Sequence, residues 1–117
     1  MNEKSNGDFT HIDSEGNPGM VNVGKKLVTR RIAMAESRVT LTPEIVDLFA
    51  NDEVITKKGP VFQTAIIAGV MGAKRTHELI PMCHPLNLEH CSIKISLIEN
   101  NQALIRCKVE IHSKTGV

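Results

Sequence analysis

The chain has neither tryptophan nor tyrosine and only three phenylalanines among its 117 residues. That shortage removes the stacking side chains on which single-stranded nucleic-acid binders depend. Charge of one sign is also missing: 14 Lys+Arg stand against 13 Asp+Glu, a net charge of +1, so nothing in the overall balance argues for a nucleic-acid or membrane-surface partner. No apolar run approaches the roughly 20 residues needed to cross a bilayer, because Gln63 and Thr64 interrupt the longest candidate, Val61 to Ala73. The first residues, Met1 to Asp8, lack the apolar centre of a signal peptide. The cysteines, Cys83, Cys91 and Cys107, form an odd set, and with no leader they fit a reducing cytoplasm.

The length suits one domain, with a polar arm over residues 1 to 8 and a single folded unit over 9 to 117. Alternation over Thr29 to Leu41 predicts a half-buried strand, preceded by a short extended piece at Met20 to Val23. Thr42-Pro43 is a helix start, and the apolar spacing that follows predicts a helix to about Ala50. Asn51 to Gly59, rich in charge, reads as a mobile surface loop. A longer helix is expected from Pro60 to about Leu79, apolar nearly all round and therefore covered on most sides, with a small-residue patch at Ala68, Gly69, Gly72 and Ala73. Strands at Glu89 to Glu99 and Ala103 to His112 place Cys91, Ile93, Ile95 and Leu97 on one face and Ile105, Cys107, Val109 and Ile111 on the other strand's matching face. The order strand, helix, helix, strand, strand describes an α+β fold, an antiparallel sheet with helices packed on one face.

Few residues carry obvious chemistry. Lys57-Lys58 precede Gly59-Pro60 and a helix start, where ammonium groups beside free helix N–H groups suit a phosphate; solvated loop lysines are the plainer alternative. His84, between Cys83 and Pro85 in a proline-stiffened corner, can take and give a proton near neutrality, or simply bond the backbone at a turn. Cys83 could be a nucleophile with His84 nearby, but adjacent residues seldom face each other, and a small core hydrophobe is the plainer reading. Cys83, His84, His90 and Cys91 have the right types for zinc, but their spacing matches no usual ligand pattern, and in a strand His90 and Cys91 point to opposite faces. No metal and no cofactor are expected. His11, His77 and the helix-end pair Lys74-Arg75 read as surface.

The stretch Lys58 to Val70, with Ala73-Lys74-Arg75-Thr76 and Leu79-Ile80-Pro81-Met82-Cys83-His84-Pro85-Leu86, resembles the signature of the MoaC family of cyclic pyranopterin monophosphate synthases. Phe9 to Asp13, Met20 to Val23, Thr29 to Ala35 and Lys114 to Val117 are similar to other segments of that family, with Asn22 and Pro60 as departures. The resemblance implies a ferredoxin-like fold and a lyase that converts a cyclised dihydroguanosine triphosphate to cyclic pyranopterin monophosphate with release of diphosphate. It implies Lys58 and His84 as catalytic residues, and Met82 and Cys83 with them as substrate-binding residues. It also implies hexamers built as trimers of dimers, with sites at subunit interfaces. The family continues past Lys-Thr-Gly-Val into a Glu-Met-Glu run, a helix and a strand, so the chain is expected to hold the first three-quarters of a member. Two other functions stay open at this point: a non-catalytic nucleotide or pterin binder, and a metal-binding module.

Overall fold

A computed structural model describes Ile12 and residues 14–116. The expected arm over residues 1 to 8, the segment Phe9 to His11, and Asp13 and Val117 lie outside the described residues. Three long strands form the main sheet: β1 (Thr29–Thr40), then, after the intervening elements, β5 (His90–Ile98) and β6 (Gln102–Ser113), in the order β1-β6-β5 and all antiparallel. They form where expected because each alternates apolar and polar residues, so one face is committed to a core. The register makes that face explicit: Ala33, Val109 and Cys91 lie side by side across the sheet, then Ala35, Cys107 and Ile93, then Val39, Ala103 and Leu97. Asn100 and Asn101, at φ of 60° and 57°, turn β5 into β6, a left-handed conformation that asparagine tolerates better than most residues.

Between β1 and β5 the chain crosses the apolar face through α2 (Val61–Lys74). The third long strand then returns between the first two. This strand, helix, strand, strand path with the last strand in the centre is the ferredoxin-like arrangement. The helix lies close on β5 at Gly69, where any β-carbon would overlap Cδ1 of Ile93. Of the small-residue patch, Gly69 is the position that allows this approach; Gly72 faces open space.

The stretch expected to be a loop is the chief correction. Helix α1 is only Pro43–Val46, capped by Thr42 Oγ1 accepting from Ile45 N at 3.4 Å. It is followed by three short strands, β2 (Phe49–Ala50), β3 (Glu53–Thr56) and β4 (Gly59–Pro60), which pair in sequence as a small sheet. Asn51 and Asp52 join β2 to β3 with φ of 54° and 61°, as a tight type I′ hairpin requires. Far from having no face to bury, β3 carries Val54, which is 0% exposed and packs with Phe62 and Ala103 as the core, flanked by Leu41, Phe49 and Ile95. Phe49 leaves the expected helix because its ring meets Phe62, centroids 6.1 Å apart.

Two further expectations change. The helix from Pro60 to Leu79 is two helices, α2 and α3 (Thr76–Leu79), broken at Arg75 (φ −104°, ψ 17°), where Thr76 Oγ1 donates to Ala73 O at 2.7 Å. Met20 to Val23 joins no ladder. Coverage of α2 is also partial, since Ile67 and Met71 are 63% and 55% exposed.

The first turn of α2 is capped from outside the helix. Pro60 has no side-chain acceptor to offer, and the carboxylate of Glu53 accepts instead, from Phe62 N at 2.6 Å, Gln63 N at 2.9 Å and its own neighbour Val54 N at 2.7 Å. Burial opposes its charge, but these backbone N–H groups outweigh that and hold its carboxyl below the ordinary 4.5. A carboxyl lowered by folding stabilises above its unfolded pKa and loses that contribution as pH falls through the folded value. Acid unfolding of Glu53→Gln should therefore be flatter than that of the parent below about pH 4.5, with the difference largest at neutral pH. Val54→Ala, measured by urea unfolding, should cost about 2 kcal/mol, from two buried methyl groups plus the space they leave.

Candidate functional site

The proline-braced corner after α3 is ordered by its backbone: Cys83 N donates to Ile80 O at 3.1 Å, and Cys83 Sγ lies 3.4 Å from His84 O. His84 is half-buried there. A cavity of about 270 Å³ opens beside it, lined by Val21, Ile80, Met82, Cys83, His84, Thr115 and Gly116. Three segments remote in sequence thus meet at one hollow: the stretch before β1, the corner, and the turn that leaves β6. Met82, Cys83 and His84, consecutive in the chain, all line this hollow.

The turn at 113–116 is held against the sheet by Arg31 on β1. Its Nε donates to Ser113 O at 3.4 Å and its terminal nitrogen to Lys114 O at 3.2 Å, while Lys114 Nζ reaches Gly24 O at 3.3 Å. These contacts bring Gly116 to the cavity wall. Sequence reasoning missed Arg31, Val21, Thr115 and Gly116 as parts of this site. The one signal for them was that each lies inside a segment carrying the family resemblance.

Lys58 sits elsewhere. It occupies the exposed tip between β3 and β4, its N–H donating to Thr56 Oγ1 at 3.2 Å, with the Thr56 hydroxyl donating to Gly59 O at 3.3 Å and Gly59 at φ 110° closing the turn. This tip precedes α2 and the corner follows it. A helix of 14 residues is about 21 Å long, so one chain holds Lys58 and His84 at opposite ends of α2. The expected use of free helix N–H groups beside Lys58 is also corrected, because Glu53 already accepts from Phe62 and Gln63. An anion at Lys58 must be held by the ammonium without those groups.

Among the described residues no group of three or more metal-ligating side chains gathers. His90 and Cys91 face opposite sides of β5, opposite Glu110 and Val109 respectively. Burial first, then the neighbouring Cys107, raises the Cys91 thiol above its ordinary 9.0, which suits a packed thiol rather than a nucleophile. A larger hollow of about 450 Å³ lies on the sheet between Met34, Glu36, Lys94, Arg106 and Lys108, but it contains none of the predicted residues, and Arg106 there is paired with Glu36 at 2.8 Å. No helix among the described residues is long and apolar enough to cross a membrane.

The sequence model of the MoaC family matches residues 20–117. A cyclic pyranopterin monophosphate synthase from Helicobacter pylori (strain HPAG1) is 46% identical over 112 residues, covering 93% of this chain and 68% of the relative. One from Desulforapulum autotrophicum is 44% identical over 113 residues, covering 94% and 67%. Molybdenum cofactor biosynthesis protein 1 of Dictyostelium discoideum is 36% identical over 129 residues, covering 96% of this chain and 20% of its own length.

Truncating Arg31 to alanine should release the 113–116 turn from the cavity wall. Amide exchange at Lys114 to Gly116 is expected to quicken on the order of fivefold, the loss of two modest hydrogen bonds, while exchange at the centre of β6 stays unchanged.

Proposed function

This chain belongs to the MoaC family, and from that premise we propose that it carries the cyclic pyranopterin monophosphate synthase reaction. The substrate is (8S)-3′,8-cyclo-7,8-dihydroguanosine 5′-triphosphate and the products are cyclic pyranopterin monophosphate and diphosphate. The observation that supports this most is the convergence of Met82, Cys83 and His84 with Thr115 and Gly116 on one cavity. A small-molecule site needs such a concave wall with few polar groups.

The chemistry divides in two. Opening and reclosing the purine-derived ring requires proton transfers, for which His84 is the group in place, with Met82 and Cys83 forming the wall beside the ring. Closing the phosphate ring expels diphosphate, and that step is a matter of position and of neutralising charge on the leaving oxygens. Lys58 supplies the cation. The reaction so divided calls for no redox group or metal, and none is assigned.

One copy separates the lysine from the histidine by the length of α2, so the working site takes Lys58 from one subunit and the His84 corner from another. The exposed Ile67 and Met71 on α2 support a homo-oligomer, which we take to be the hexamer of three dimers, acting in the cytoplasm.

The test is diphosphate release from the cyclised nucleotide. Lys58→Ala and His84→Ala should each lose on the order of a hundredfold or more in turnover, with unchanged circular dichroism. Full turnover in both variants sinks the catalytic roles of the lysine and the histidine, and binding without diphosphate release in the parent chain would instead favour a nucleotide binder. A shared site makes a second outcome specific: unfolding and refolding the two inactive variants together should restore about a quarter of parental activity, because a quarter of random pairings combine an intact lysine with an intact histidine. Sites built within one chain restore nothing.

A further inference from the structure

We infer that Glu53 is the positioning residue for Lys58, an assignment that rests on the reading of Lys58 as the lysine that meets the substrate's phosphates. The hairpin that presents Lys58 is small. Its ladder consists of two residue pairs only, Ile55 opposite Pro60 and Thr56 opposite Gly59, so the strand pairing alone leaves the tip weakly fixed. Two anchors hold it at its base. Val54 is buried in the core, and the Glu53 carboxylate joins the start of β3 to Phe62 and Gln63 in the first turn of α2. The chain from Glu53 to Phe62 is thereby a closed loop, with Lys57 and Lys58 at its far end.

The same carboxylate decides how an anion is bound. A helix N-terminus attracts phosphate through its unpaired N–H groups. Here Glu53 occupies them, so the phosphate is directed to the lysine rather than to the helix. Two opposite expectations then follow for removing its charge. If Glu53 merely fills an anion site, Glu53→Gln unblocks the helix end, removes a like charge and tightens phosphate binding. If Glu53 positions Lys58, the same change loosens the loop and weakens binding, and it does so only while Lys58 is present.

Calorimetric titration of the full chain with inorganic triphosphate separates these. Glu53→Gln and Lys58→Ala should each weaken binding about tenfold, and the double variant should be no weaker than Lys58→Ala alone. Adding Pro60→Ser to Glu53→Gln gives α2 a cap of its own without retying β3, so the melting midpoint should recover while the affinity stays low. Equal or tighter binding by Glu53→Gln, losses that multiply in the double variant, or affinity that returns with the serine cap each overturn the assignment. A parent chain that does not bind triphosphate, or a Lys58→Ala variant that binds as the parent does, removes the lysine's role and the inference with it. Weakened Lys58→Ala beside unaffected Glu53→Gln removes the inference and leaves the lysine.

Discussion

Strand β6 is paired on both sides, to β1 along its whole length through twelve residue pairs and to β5 through nine, and every other element takes its place from that double pairing. Because side chains alternate along a strand, the register commits Ala103, Ile105, Cys107, Val109 and Ile111 to one face, and only a helix on that face can cover them. Helix α2 does so from the β5 side, at the close approach of Gly69 to Ile93. Its direction then fixes what its two ends carry. The hairpin bearing Lys58 is delivered to one end and the corner bearing His84 to the other, and the turn leaving β6 falls beside the corner because β6 runs back past it. The separation of the proposed lysine and histidine is thus a consequence of topology.

Charges in this chain do unequal work. The outer face of the sheet carries ion pairs, Arg30 with Glu110 at 2.6 Å and Arg106 with Glu36 at 2.8 Å, all on exposed or partly exposed side chains where water competes for each partner. Such pairs add little to stability. Glu53 is different because its partners Phe62 N–H and Gln63 N–H lie at a helix start, where the helix itself offers them no acceptor, and because they belong to another element. One carboxylate thus joins the small sheet to the helix that covers the large one.

Most of the architecture was legible because its signals are local and repeated. Nine to twelve alternating residues leave little doubt about β1, β5 and β6, and the family resemblance added the order in which they lie. The stretch at 49–60 was not legible for the opposite reason. Its strands are two to four residues long, its turn depends on Asn51 and Asp52 accepting positive φ, and its two strongest ties, Phe49 to Phe62 and Glu53 to Phe62, span nine residues or more. A count of charges over Asn51 to Gly59 reports solvent exposure, whereas the fold depends on the single apolar residue among them that is fully buried, Val54. The same limit applies to the cavity: the corner was visible as a motif, but that Gly116 would face it depends on Arg31 gripping two carbonyls from a strand more than eighty residues away.

The shape of the chain leaves apolar surface uncovered. A compact domain of this length has a radius of gyration near 13 Å, whereas this chain measures 18.5 Å and extends 55 × 26 × 21 Å. It carries two strands of twelve residues, β1 and β6, paired along their length, and α2 keeps Ile67 and Met71 in water. Each such side chain, if covered, contributes about 1.5–3 kcal/mol, so leaving several exposed forgoes an amount comparable to the whole stability of a small domain. Contact between copies would recover that burial. In the proposed shared site the lysine and the histidine meet only across two copies, so an association that covered the apolar helix face and one that completed that site would place the same demand on the sequence.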